Sequence, residues 1–89
     1  KRTAHVAPCK NCHDCVGEAR ICYRQACGAA EQCRWRAACG LLATAAALYR
    51  RALEMADEAE TEFRRDVRHQ LDAIETELAR LSHKATFSG

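Results

Sequence analysis

All seven cysteines of this 89-residue chain stand in its first 39 residues, at Cys9, Cys12, Cys15, Cys22, Cys27, Cys33 and Cys39. The fifty residues that follow carry none, and helix formers dominate there. A chain this short has limited capacity for a large core and commonly leans on disulfides, a metal or a partner. The expected fold is therefore all-α. A cysteine-rich helical hairpin head, disulfide-stapled or metal-bound, occupies residues 1–40, one long amphipathic helix spans 41–82, and 83–89 form a frayed tail.

Pro8, Asn11, Asp14 and Gly17 make residues 1–17 read as irregular. Glu18 to Cys27 reads as a short helix ended by Gly28. From Ala29 a helical pattern runs on to Leu81, with Gly40 as its one weak point, at a cost of about 1 kcal/mol.

The arm carries an apolar stripe of Leu41, Ala45, Leu48, Ala52, Met55, Ala59, Phe63, Val67, Leu71, Ile74, Leu78 and Leu81. Forty residues in eleven steps average about 3.64, so the stripe holds one face of a straight rod roughly 60 Å long. The pairs Arg50–Glu54 and Glu60–Arg64 have the i,i+4 spacing for the opposite face. A forty-residue head is too small to cover such a stripe. Another protein, or a second copy, is expected against Leu48, Phe63, Val67, Leu71, Ile74, Leu78 and Leu81.

Composition narrows the partners. Net charge is only +2, too weak by itself to argue for nucleic acid, and none is expected as a partner. Residues 1–53 hold nine Lys/Arg against three Asp/Glu, and residues 54–89 hold five against nine. An acidic polar face on the arm disfavours anionic lipid. The apolar run Leu41 to Tyr49, broken by Thr44, is about half of the ~20 residues a membrane span needs. The chain opens at Lys1 rather than a methionine, which reads as a processed product or a fragment.

The cysteines admit four chemistries. About a midpoint near residue 24, Cys22 mirrors Cys27, Cys15 mirrors Cys33 and Cys9 mirrors Cys39, as rungs of an antiparallel hairpin would. Cys12 is then left over. Helix phase allows two of these rungs at most between ideal helices, and spacing alone does not choose a connectivity. Zinc is the second chemistry: Cys9, Cys12, His13 and Cys15 have knuckle-like spacing, because C-x2-C lets two thiolates reach one tetrahedral ion. Third, Cys9-Lys10-Asn11-Cys12-His13 is literally the haem-attachment pattern C-x-x-C-H, with His13 as one axial ligand and Met55 or His5 as the other. An iron–sulfur cluster on C-x2-C-x2-C and a distant cysteine is the fourth.

Two family patterns bear on this choice. Cys12 and Cys22 enclose nine residues, and in this the chain resembles one half of the coiled-coil-helix-coiled-coil-helix proteins of the mitochondrial intermembrane space. That resemblance implies pairing of Cys12 with Cys39 and of Cys22 with Cys27, and the mitochondrial intermembrane space, an oxidising compartment. The second half departs from the pattern, since Cys27 and Cys39 enclose eleven residues. A cysteine-rich head before a long helix also resembles the B-box and coiled-coil region of tripartite-motif proteins, which implies zinc, although the B-box histidines are missing.

No residue set reads as catalytic. C-x-x-C lacks a thioredoxin-like βαβ setting, and Trp35 between Arg34 and Arg36 reads as a core or interface anchor. The function expected is a non-enzymatic accessory or assembly subunit of a larger complex. The alternatives are an intracellular zinc-binding adaptor that dimerises through its arm, and a small haem or iron–sulfur electron carrier.

Overall fold

Asn11 opens the first helix. Its side-chain oxygen accepts the backbone N–H of Asp14 at 2.9 Å, and Asp14 adds a negative charge in the first turn. From there the computed structural model, which describes residues 11–88, is all-α: α1 Cys12–Glu31, α2 Trp35–Met55 and α3 Thr61–Ser88. Cys9 and His5 lie outside the described residues.

The expected helix boundaries change, first at the start of the chain and at its first reversal. Residues 12–17 are helical, because the Asn11 cap starts the helix well before Glu18. Helix α1 also runs through Gly28, so there is no turn near residue 24 and no hairpin about it. The chain reverses instead at residues 32–34. There the N–H of Cys33 donates to the Ala30 carbonyl and the N–H of Arg34 to the Ala29 carbonyl, both at 2.9 Å. This is a Schellman-type stop, and Cys33 holds the left-handed position with φ 59°.

Residues 41–82 are not one helix, and this is the larger correction. Helix α2 ends at Met55, Ala56 turns extended, and α3 begins at Thr61. Two interactions hold the break. The Glu60 N–H donates to the Asp57 carbonyl at 2.9 Å. The Arg64 guanidinium donates to the carbonyls of Leu53 and Ala56 at 2.8 and 3.3 Å, satisfying acceptors that the helix end leaves open. Helix α3 then continues through the expected tail to Ser88.

Helix α2 is the central element and packs on α1 and on α3. The core joins Cys12, Cys15, Ala19 and Ala26 of α1, Ala38, Leu42, Ala45, Ala46, Tyr49 and Ala52 of α2, and Val67, Leu71, Ile74 and Leu81 of α3. The stripe expected to meet a partner thus folds back on its own chain. Val67, Leu71, Ile74 and Leu81 are buried, and Leu48, Phe63 and Leu78 pack half-buried against the same core. Met55 and Ala59, the middle of the stripe, fall at the break and are exposed.

Polar contacts follow the fold-back. Arg50 pairs with Glu75 across α2 and α3, instead of with Glu54 along one helix. Farther along, the Cys39 Sγ lies 3.9 Å from the Ser82 Oγ, and the Lys84 ammonium sits 5.2 Å from the Trp35 ring centroid. Trp35 is thus a packing anchor for the end of α3. Among the described residues no helix is long and apolar enough to cross a membrane.

Candidate metal centre

Because α1 and α2 are antiparallel, the first turn of α1 meets the last turn of α2 and the turn into α3. Three ligand-bearing side chains converge there. The Cys12 sulfur, an imidazole nitrogen of His13 and a carboxylate oxygen of Glu60 all lie within 4.8 Å of one another. His13 Nε2 stands 3.8 Å from Glu60 Oε1.

Each group is positioned by its surroundings. Cys12 is buried in the α1 packing face. The His13 ring rests on Phe63, with centroids 4.6 Å apart and planes at 52°. Glu60 is tied on both sides by backbone bonds, its N–H to Asp57 and its carbonyl to the Arg64 N–H at 3.0 Å. One turn deeper the Cys15 Sγ lies 3.7 Å from the Met55 Sδ, which brings sulfur from the end of α2 to the same corner.

The donor set suits a tetrahedral divalent ion. Zinc takes thiolate sulfur at about 2.3 Å and imidazole or carboxylate donors at about 2.0–2.2 Å, which puts neighbouring light donors roughly 3.3 Å apart. The His13–Glu60 separation is within half an ångström of that spacing. A simple surface ion pair would also explain His13 and Glu60, and it contributes only about 0–1 kcal/mol in so exposed a setting. It gives no part to the Cys12 sulfur in the same cluster.

The cluster differs from the expected set of Cys9, Cys12, His13 and Cys15. It takes Cys12 and His13 but adds Glu60 from the far side of the α2–α3 turn. Sequence spacing could not show Glu60 as a ligand, since the stripe reads through residues 56–60 without a break. A turn signal was there in Asp57, whose Oδ1 accepts the Ala59 N–H at 3.5 Å.

Cys15 is disulfide-bonded, and Cys22, Cys27, Cys33 and Cys39 are dispersed along α1, the turn after it and α2. Cys12, Cys22, Cys27, Cys33 and Cys39 carry free thiols. The pair Cys22 and Cys27, common to the mirror reading and the family resemblance, lies on the single helix α1, five residues apart and so about 140° around it. Such a pair cannot bridge without unwinding the helix. Burial and the nearby Glu18 carboxylate push the Cys22 thiol above its usual value. The Tyr23 phenol is raised chiefly by the adjacent Cys27, then by partial burial, with Glu77 and Tyr49 adding to it. Met55, considered above as an axial ligand for haem, touches Cys15.

A shallow groove of about 190 Å³ runs between α1 and α3 over Leu42, lined by Tyr23, Ala26, Ala30 and Leu81. It is smaller than the roughly 300–1,000 Å³ of small-molecule sites. No known protein family, curated protein or solved structure matches this chain.

Proposed function

We propose that this protein is a small, non-enzymatic helical module that binds a divalent transition-metal ion, zinc foremost, through Cys12, His13 and Glu60. One observation carries the reading: thiol, imidazole and carboxylate donors from two separate elements meet within 4.8 Å. The accessory-subunit reading is second here, since much of the stripe expected to meet a partner packs within the chain. It keeps the support of the α1–α3 groove, whose size fits one apolar side chain of a docked segment.

The test is a zinc titration of the reduced chain against a chromophoric chelator, with native mass spectrometry for stoichiometry. One zinc per chain is expected. Cys12→Ser, His13→Ala and Glu60→Gln should each weaken binding by at least the roughly 10–100-fold that even outer-sphere partners cost. Glu60→Gln is the discriminating variant, since zinc held only by the cysteine run around Cys12 would not respond to it. Failure to bind zinc, or unchanged affinity in Glu60→Gln, would overturn the reading.

A further inference from the structure

We infer that the ion at Cys12, His13 and Glu60 is exchangeable cargo, handed on by ligand exchange to a thiolate acceptor, and not a structural ion. This rests on the metal-binding reading above and adds to it the fate of the metal. The first support is unequal exposure of the three donors. The His13 side chain is 68% exposed and that of Glu60 40%, while Cys12 is 6% exposed. Solvent and an incoming ligand therefore reach the ion from the side of its two light donors. Structural zinc sites are closed by four protein ligands, whereas sites that react keep a position for an outside ligand.

The second support is where the fold draws its stability. The core extends along the helices away from the site, through Ala26, Ala38, Leu42, Tyr49, Ile74 and Leu81. The α2–α3 turn beside the site is closed by the Arg64 guanidinium on the Leu53 and Ala56 carbonyls and by the Glu60 N–H on the Asp57 carbonyl. Metal affinity is then not tied to folding, as it is in small domains that unfold without zinc. The third is donor chemistry. One sulfur with two harder donors is a weaker zinc site than a cluster of thiolates, so a thiolate-rich acceptor draws the ion onward.

The exchange balances without redox chemistry. Each acceptor thiol loses its proton to solvent and donates a sulfur electron pair to the ion, one entering for each donor that leaves; the Glu60 oxygen leaves first, as carboxylate. His13 leaves next as neutral imidazole. Cys12, the buried donor, leaves last and takes up a proton.

The experiment uses the full chain, kept reduced with a phosphine and loaded with one equivalent of zinc or of cobalt(II). Far-ultraviolet circular dichroism should be the same with and without zinc. Adding 2-mercaptoethanol to the cobalt form should raise the sulfur-to-cobalt charge-transfer absorption, as a second thiolate enters. Zinc release to a chelating dithiol should quicken in proportion to dithiol concentration, and Glu60→Gln should release about tenfold faster. Loss of helicity on zinc removal, an inert cobalt spectrum, or release independent of dithiol would overturn exchange while leaving the metal site standing. Absence of any one-to-one metal binding would overturn the site itself, and the inference with it.

Discussion

The two faces of α2 are built on different principles. Toward α1 the side chains are small: Ala19 and Ala26 meet a helix whose buried set is mostly alanine, with Cys12 and Cys15 at the far end. Toward α3 they are large, with Val67, Leu71, Ile74 and Leu81 filling the space. Small side chains let helix axes approach closely but bury little apolar area each. Large ones bury about 1.5–3 kcal/mol worth apiece. The α2–α3 half therefore anchors the fold, and the α1–α2 half positions chemistry, since every described cysteine lies on α1, on α2 or in the turn between them.

The contrast predicts opposite sensitivities. Ile74→Ala, at one of the largest fully buried side chains, should cost about 2–5 kcal/mol in a denaturant melt. That is a large share of the roughly 5–15 kcal/mol that holds a domain. A loss under about 1 kcal/mol would mean that the α2–α3 interface is not the main source of stability. The α1 side should break by enlargement instead. Ala19 is fully buried, and Ala19→Leu should cost about 1–3 kcal/mol as the helices are pushed apart. A neutral result would show that α1 and α2 are not in close contact.

The turn joining α1 and α2 offers a smaller effect of opposite sign. Cys33 holds a left-handed backbone that glycine adopts without a Cβ penalty. Cys33→Gly should stabilise the chain by about 1 kcal/mol, seen as a rise in Tm. Smallest of all is a difference in thiol reactivity. Cys22 should alkylate more slowly than Cys33 near pH 8, because its raised thiol value leaves less thiolate and part of its surface is covered. The order should vanish in denaturant. Equal rates in the folded chain would contradict the burial of Cys22.

Particular residues show why some of this was legible in the sequence. Helix formers and the apolar period gave an all-α chain with a cysteine-bearing hairpin and a long final helix. The turns were misplaced for physical reasons. Gly28 looks like a stop, yet an interior glycine costs only about 1 kcal/mol, and neighbouring Ala26 and Ala29 pack on α2. The real stop uses Cys33, a residue seldom found in the left-handed slot. At residues 56–60 neither glycine nor proline marks the break, and the stripe resumes in phase beyond it. What appeared to be one exposed face was two faces folded together. Glu60 could be seen as a ligand only once that turn was in place.

X-ray absorption at the zinc edge of the one-to-one zinc complex counts the donors around the ion. The expected spectrum has one sulfur at about 2.3 Å and two or three nitrogen or oxygen donors at about 2.0–2.2 Å. That is the signature of Cys12 with His13, Glu60 and an outside ligand. A shell of three or four sulfurs would contradict it and place the ion on the cysteine run of Cys9, Cys12 and Cys15 instead.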